Sequence, residues 1–214
     1  MSIIQNYINI KNEIKSLSQN AKLIVVSKGQ DVEKIKPLLE CGQVHFGENK
    51  VQETIQKWPS LIRSYANVNL HLIGKLQSNK AKDAFSVFNF IHTLDNEKLA
   101  KILSNLETTS NKKINYFVQV NIGNELQKNG ILFSKVTDFV RYCKFDLKLN
   151  ILGLMCIPPI NDSPDLYFNK LKELNNINNL IELSMGMSAD FRTAIKLGAS
   201  YVRIGSSIFG KRFN

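Results

Sequence analysis

The sequence predicts an α/β fold in which residues 1–214 form a single domain, a (β/α)8 barrel of the TIM type. Two observations predict this fold. Eight short apolar segments rich in β-branched residues recur along the chain, and segments with helical periodicity lie between them. The chain has 214 residues, which suits one domain, and eight strand–helix units can be built from about 200 residues.

The predicted strands are near-continuous apolar runs, which is typical of parallel strands that are buried on both faces. They cover residues 23–27, 44–46, 69–74, 90–93, 114–122, 151–157, 180–184 and 201–205. A leading helix is predicted over residues 2–18. Asp31 can cap the next helix and Gly42 can end it, and Asp95 can open a later one. Eight such units at this length favour a closed barrel over an open doubly wound sheet.

Composition limits the classes of function. Hydrophobic residues make up 43% of the chain, and no stretch approaches the roughly 20 apolar residues that span a bilayer. Three cysteines at long spacings fit no disulfide framework and, with no export signal at the amino terminus, predict a cytoplasmic protein. The net charge is +10, but the lysines are scattered, so we expect no nucleic-acid partner.

Lys28 is the strongest candidate for a reactive side chain. In barrels of this kind the functional site lies at the carboxyl ends of the strands, in the loops that follow them. Lys28 directly follows the first predicted strand. An amine there can attack an aldehyde. Taken alone, the position of Lys28 favours a lysine whose side chain extends to solvent from a strand end.

Two late turns have the composition of phosphate sites. YVRIGSSIFG (201–210) places small residues and backbone N–H groups where a short helix would begin, and barrels often bind phosphate after strands seven and eight. LSMGMSAD (183–190) supplies a second turn, in which the Ser184 hydroxyl could reach the same anion while Ser188 and Asp190 cap a helix. Each can also be an ordinary strand-to-helix turn. Together, and beside Lys28, they suggest an aldehyde cofactor that carries a phosphate.

Several motifs resemble one known family nearly from end to end. They are VVSKGQ (25–30), HFGENKVQE (45–53), HLIGKLQSNK (71–80), IHTLDNEKLA (91–100), VQVNIGNELQKNG (118–130), GLMCIPP (153–159) and LSMGMSADFRTAIKLGASYVRIGSSIFGKR (183–212). The chain resembles the YggS/PROSC family of pyridoxal 5′-phosphate (PLP)-binding proteins, the PLP homeostasis proteins.

The resemblance implies a barrel like the N-terminal domain of alanine racemase, a fold type III PLP protein, with PLP held as a Schiff base on Lys28. Asn49 would lie near the cofactor ring and Arg203 would face the pyridine nitrogen. A guanidinium cannot accept a proton, so the ring would be a weaker electron sink. Three small residues would hold the phosphate: Ser184, Gly205 and Ser206. Gln30, Lys50 and Lys75 depart from the family pattern and leave open how the neighbouring loops hold the ring.

A carrier of PLP, with apo PLP-dependent enzymes as recipients, is the function that the resemblance favours, and we expect a monomer. A racemase needs a second acid/base opposite the lysine, which alanine racemase brings from a second domain and a second subunit. We expect no such domain here, because the predicted barrel ends near Asn214. The alternative is a racemase-like enzyme in which a tyrosine is the second base; the candidates are Tyr65, Tyr116 and Tyr201.

Other polar groups have more ordinary interpretations. His45, His71 and His92 lie near the ends of successive strands, but consecutive strands point side chains into different layers, so ring packing is favoured over a zinc site. Glu48 and Glu53 are interpreted as structural residues at a helix start. Cys156 is expected in the core, and Phe209 and Phe213 are expected to pack the last segment onto the barrel.

Overall fold

Eight parallel strands close into a barrel in the computed structural model, which describes residues 2–160 and 162–210. Each strand pairs with its neighbours, and the ring is closed by a pairing of the first strand with the last and of the fourth with the fifth. The barrel strands are β1 (Lys22–Val26), β2 (His45–Glu48), β3 (Asn69–Leu72), β4 (Phe90–Leu94), β5 (Asn115–Asn121), β7 (Asn150–Met155), β8 (Glu182–Met187) and β9 (Tyr201–Ile204). The predicted (β/α)8 barrel is confirmed.

Helices surround the strands. They are α1 (Ile3–Leu17), α2 (Val32–Glu40), α3 (Val51–Ser64), α4 (Ala81–Val87), α5 (Glu97–Ser110), α6 (Val136–Arg141), α7 (Pro164–Ile177), α8 (Phe191–Lys196) and α9 (Ser206–Phe209). The leading helix is therefore confirmed, and its Ser2 hydroxyl accepts a hydrogen bond from the Gln5 amide. Helix α5 is capped by the Asn96 side chain and not by Asp95, one residue later than expected.

The strand boundaries differ from the predicted ones by up to three residues, and two of these differences bear on the function. β2 continues to Glu48, whereas the prediction ended at residue 46. β8 covers Glu182–Met187, whereas the prediction was 180–184, because Gly186 near the end of the strand was interpreted as a loop residue. Gly186 adopts φ +92° where the β8–β9 register shifts, so a glycine is required inside this strand. A further two-residue strand, β6 (Ile131–Leu132), was not predicted and pairs with β5 outside the ring.

Alternate residues of each strand face the helices or the barrel interior. In β3, Leu70 and Leu72 join the large core between strands and helices, so His71 points inward. The interior holds a separate small apolar cluster: Ile24, Phe90, Phe117, Met155 and Tyr201. Polar side chains share this interior, and the buried ones include His71, His92, Ser184 and Arg203.

Gly153 lies at a close contact between two neighbouring strands. A Cβ atom built on Gly153 would lie 1.6 Å from the Glu182 carbonyl oxygen, at the point where β7 pairs with β8. No shift of a flexible side chain can relieve an overlap with backbone, so the two strands would have to separate.

We therefore expect Gly153→Ala to lower the free energy of unfolding by about 3 kcal/mol, the upper range for an over-packed core. Asn150→Ala, at the exposed start of the same strand, is the control; it removes one exposed hydrogen bond to Asn115 and should change the free energy of unfolding by less than about 1 kcal/mol. Urea denaturation of the two variants measures both values. Equal stability of the two variants would contradict the contact.

Candidate functional site

A cavity of about 620 Å³ opens at the carboxyl ends of the barrel strands. Its walls come from the residues that follow β1, β2, β3, β7, β8 and β9. The lining residues are Val26, Lys28, Gln30, Asn49, Ile73, Gly74, Ile157, Met187, Ser188, Ala189, Arg203, Gly205, Ser206, Phe209 and Gly210. Five of the six predicted site residues therefore meet at one cavity; Ser184 is the exception.

Lys28 is the second residue after β1 and is half-buried in the cavity wall. Within the part of the chain that the structure describes, no hydrogen bond, ion pair or ring contact engages its amine. The loop that carries it is, by contrast, tightly held. The Ser27 hydroxyl donates to Glu48 Oε1 at 2.7 Å, and the Gly29 amide donates to Glu53 Oε1 at 2.5 Å.

Lys57, on α3, holds the same loop from behind. Its ammonium donates to the Ser27 carbonyl oxygen at 2.9 Å and lies 2.7 Å from Glu48 Oε1 and 2.9 Å from Glu53 Oε1. Two glutamates and one lysine thus fix the backbone on both sides of Lys28. We call Glu48, Glu53 and Lys57 the loop clamp.

Glu48 is the fully buried member of the loop clamp. Its Oε1 atom also accepts a hydrogen bond from the Trp58 indole at 3.0 Å. Burial raises the pKa of Glu48, against the opposing effect of Lys57 and the hydrogen bonds of Trp58 and Ser27. The sequence placed this residue at a helix start; it is instead the last residue of β2, and for that reason its side chain lies behind the Lys28 loop.

Asn49 reaches the cavity because the β2–α3 loop packs on the loop after β3. A Cβ atom on Gly74 would lie 2.3 Å from the Asn49 carbonyl oxygen, so only glycine permits this approach. Of the three departures from the family pattern, Gln30 lines the cavity, whereas Lys50 and Lys75 are exposed and outside its wall.

Gly205 and Ser206 form the turn between β9 and α9. Gly205 packs against β1, and a Cβ atom there would lie 3.0 Å from the Val26 carbonyl oxygen. Ser206 opens α9, and the Ile208 and Phe209 amides donate to the Gly205 carbonyl oxygen. The Ser206 and Ser207 amides are left without a partner within the helix. Phe209 of α9 packs on the core and also lines the cavity, while Phe213 falls outside the described residues.

Ser184 does not reach the cavity, because β8 runs three residues beyond it. Its hydroxyl is fully buried in the barrel interior and is bonded to Arg203 and His92. The first residue after β8 is Ser188, which does line the cavity. Ser188 was interpreted as a helix cap, because the predicted strand ended at residue 184 and left Ser188 well beyond it.

Arg203 lies between the cavity and the barrel interior. Its Nη1 donates to Ser184 Oγ at 2.6 Å and its Nη2 donates to the Cys156 carbonyl oxygen at 2.8 Å. The side chain is almost fully buried, and this burial lowers the pKa of Arg203. The guanidinium has no carboxylate among these bonds and is held by neutral acceptors.

Three histidines continue the contacts of Arg203 through the barrel. His92 Nδ1 lies 2.8 Å from Ser184 Oγ, His71 Nδ1 lies 2.8 Å from His92 Nε2, and His45 Nδ1 lies 2.9 Å from His71 Nε2. We call His45, His71, His92 and Ser184 the interior chain. His71 stacks on Phe90 and His92 stacks on Phe117, with ring centroids 4.2 and 4.4 Å apart.

The ring packing expected for the histidines is confirmed, but the reason given for it was incomplete. Adjacent layers of the barrel are close enough for each imidazole to reach the next. The ring nitrogens contact one another in sequence, so the three imidazoles do not converge on one point. Residues 2–160 and 162–210 contain no group of three or more side chains that could hold a metal ion.

The tyrosines considered as second bases lie away from Lys28. Tyr116 is buried and donates to Glu107 Oε1 at 2.9 Å, and burial raises its pKa. The Tyr201 hydroxyl accepts from Lys22, at the start of β1 and therefore at the opposite end of the barrel. Tyr65 follows the end of α3. None of the three lines the cavity in the described structure.

The cysteines that are buried have the environment of core residues. Cys156 and Cys143 are fully buried, and burial raises the pKa of each thiol to about 12. Cys41 is exposed and free. No helix in the described ranges is both long and apolar enough to cross a membrane.

Comparison with known proteins identifies the family. The family described as "Alanine racemase, N-terminal domain" matches residues 2–212. The pyridoxal phosphate homeostasis protein of Pasteurella multocida is 35% identical over 231 residues, covering 99% of this chain and 98% of the relative. The chain belongs to the pyridoxal phosphate homeostasis proteins. Another member, from Schizosaccharomyces pombe, is 36% identical and covers 99% of this chain and 94% of the relative.

Solved structures agree with this family assignment. PipY of Synechococcus elongatus, solved without PLP, superimposes with a TM-score of 0.89 at 30% identity, covering 98% of this chain and 100% of PipY. PipY with PLP bound gives a TM-score of 0.88 at 29% identity over the same shares of both chains. Alanine racemase of Corynebacterium glutamicum shares the fold at 16% identity, with a TM-score of 0.70 over 93% of this chain and 58% of the racemase.

The loop clamp gives a stability prediction. Lys57→Met removes the partner of a fully buried carboxylate, so the free energy of unfolding should fall by about 3–5 kcal/mol. Lys101→Met is the matched control, since Lys101 and Glu97 form an exposed pair 3.9 Å apart; the change there should be below about 0.5 kcal/mol. Urea denaturation near neutral pH provides both values, and a loss in Lys57→Met no larger than in the control would refute the role of the ion pair.

The interior chain gives a pH prediction. Burial, and then Lys22, lower the pKa of His45 from 6.5 to about 4, and burial lowers those of His71 and His92 well below 6.5. Between about pH 6.5 and the lowered value, the unfolded chain binds protons that the folded chain does not. The free energy of unfolding should therefore fall on acidification, by about 1.4 kcal/mol per pH unit for each such histidine.

Denaturation curves between about pH 7 and about pH 5 measure this slope, since most carboxylates stay charged there. His45→Gln removes one titrating ring, so its slope should be smaller than that of the wild type. Identical slopes would mean that His45 is no harder to protonate in the folded protein than in the unfolded one.

Proposed function

We propose that this protein is a carrier that binds PLP, holds it as a Schiff base on Lys28 and has little or no catalytic activity. The observation that carries the proposal is the Lys28 amine, which has no polar partner in the described structure and lines a cavity together with Arg203, Gly205 and Ser206. The family membership and the PLP-bound structure of PipY support the choice of cofactor.

The residues present fit PLP. The group has an aldehyde, a phosphate and a pyridine ring, and the cavity offers an amine, hydroxyls beside a helix start, and a guanidinium. At about 620 Å³ its volume lies in the usual range for small-molecule sites. When bound, PLP supplies an electrophilic aldehyde and a ring that can accept electron density.

For the phosphate, we assign Gly205 and Ser206, as the family resemblance implies, and add Ser188. The close packing of Gly205 on β1 brings the backbone of the β9–α9 turn to the cavity wall. Free N–H groups at the start of α9 and the Ser206 hydroxyl are suitable donors for an anion. Ser184 was expected here too, but its burial and its bonds to Arg203 and His92 favour a supporting role.

For the ring, we assign Asn49 and Arg203. Arg203 can only donate hydrogen bonds, so a pyridine nitrogen that faces it must accept and stays without a proton. Such a ring stabilises carbanions poorly. Arg203 therefore suits a protein that stores the cofactor better than one that uses it.

The set of ionisable groups favours the carrier over the racemase alternative. Among the described residues that line the cavity, Lys28 and Arg203 are the two with ionisable side chains, and a guanidinium cannot serve as a base. A racemase requires a second acid/base within hydrogen-bond reach of the substrate. Tyr65, Tyr116 and Tyr201 lie outside the cavity wall. We further propose that apo PLP-dependent enzymes in the cytoplasm receive the cofactor from a monomeric carrier.

Covalent attachment is tested by labelling. Purified protein saturated with PLP should absorb in the visible, and borohydride reduction followed by peptide mapping should find a pyridoxyl group on Lys28. Lys28→Ala should lose both signals, while Lys34→Ala, an exposed lysine of α2, should keep them. A colourless wild type that remains unlabelled would refute the proposed function.

Carrier and enzyme are separated by isotope exchange. Holo-protein incubated with alanine or serine in heavy water should show no Cα deuterium beyond that produced by free PLP. Mass spectrometry of the recovered amino acid measures the exchange. Incorporation at an enzyme-like rate, abolished by Lys28→Ala, would establish the racemase-like alternative.

A further inference from the structure

The interior chain has a direction that its chemistry fixes. An arginine side chain only donates hydrogen bonds, so Ser184 Oγ accepts from Arg203 Nη1. The serine has one proton of its own, and its other contact is His92 Nδ1 at 2.8 Å. If His92 Nδ1 carried a proton, the fully buried serine hydroxyl would have two donors facing it and no acceptor for its own proton, which is costly. His92 Nδ1 therefore accepts.

The same argument passes from ring to ring. A neutral imidazole has one N–H group, so His92, which accepts at Nδ1, must donate from Nε2 to His71 Nδ1. His71 then donates from Nε2 to His45 Nδ1, and His45 carries its proton on Nε2. One obligatory donor at the cavity thus determines the tautomer of three histidines.

We propose that His92 and His71, with Ser184, are positioning residues for Arg203, joined with His45 in a one-directional chain of Nε2–H tautomers. The chain ends at His45, which is half-buried where β2 begins and lines a second cavity of about 360 Å³ at the opposite end of the barrel. Lys11, Lys15 and Lys22 line that cavity as well. The chain thus extends from one end of the barrel to the other.

The interior chain orients Arg203 and does not carry protons to the cofactor site. A proton arriving from His45 would have to pass Ser184 to a guanidinium that cannot accept it. What the chain maintains is the acceptor character of Ser184 Oγ. With that oxygen and the Cys156 carbonyl as fixed acceptors, two of the nitrogens of Arg203 have defined directions, and the face it turns to the cavity is fixed.

The tautomers can be observed without any cofactor. The protein has three histidines and all belong to the chain, so every imidazole signal reports on it. Long-range ¹H–¹⁵N correlation spectra of histidine-labelled protein near neutral pH should show three neutral rings, each with a proton on Nε2 and none on Nδ1. A ring with its proton on Nδ1, or a charged ring, would overturn the proposed direction.

Positioning is tested on the holo-protein and rests on the proposed function. His92→Leu leaves the Ser184 hydroxyl without its acceptor, and Ser184→Ala removes the acceptor of Arg203. Each should weaken PLP binding by roughly tenfold and shift the visible absorption band. His92→Asn places an amide oxygen near the position of Nδ1 and should restore binding to within about threefold of wild type.

Phe117→Leu is the control for packing, since Phe117 stacks on His92 but offers no hydrogen bond. It should lower the melting temperature while leaving the absorption band and the tautomers unchanged. If His92→Leu binds PLP like the wild type, or if Phe117→Leu shifts the band equally, the positioning role is wrong. Should the wild type bind no PLP, the proposed function fails, and the direction of the chain is still decided by the tautomer pattern of the apo-protein.

Discussion

A buried guanidinium that can only donate hydrogen bonds is the constraint around which the interior of this barrel is arranged. Arg203 has neutral acceptors, a serine hydroxyl and a backbone carbonyl, where a carboxylate would be the usual partner. Keeping a positive charge there requires that every oxygen it faces stays an acceptor. Three neutral imidazoles meet this requirement for Ser184, and their burial keeps them neutral by lowering their pKa values.

The second organised region lies behind Lys28. The loop clamp binds the backbone on both sides of this lysine and leaves its side chain without a polar partner in the described structure. The charged groups of the loop clamp lie on α3 and β2, outside the cavity wall. There the buried Glu48 pairs with Lys57 at 2.7 Å. The loop that carries the amine is thus held by residues that do not line the cavity.

Sequence reasoning found the barrel because alternating apolar strands and amphipathic helices leave few alternatives at this length. It placed Lys28, Asn49, Arg203, Gly205 and Ser206 at one end, since each lies near or just beyond the end of a strand, and all five line the same cavity. It misplaced Ser184 because Gly186 resembles a loop residue, whereas the strand uses its positive φ to continue through a register shift.

Contacts between distant segments could not be read from the sequence. The loop clamp joins the loop after β1 to β2 and α3 through hydrogen bonds that no local pattern encodes. Glu48 was assigned to a helix start because the predicted strand ended two residues too early. The interior chain depends on the stagger of β2, β3, β4 and β8, which strand positions alone do not give. That stagger decides whether three histidines pack, bind a metal or form a chain.

The rim of the cavity also has a kinetic consequence. Met187 is 37% exposed and Ser206 is exposed, so the mouth faces solvent at the loops that follow β8 and β9. The closed ring of eight strands lies beneath it and need not open for a small molecule to enter or leave. For a cofactor linked to Lys28 as proposed, the rates of forming and breaking that one bond would therefore set the residence time, with no change in the barrel.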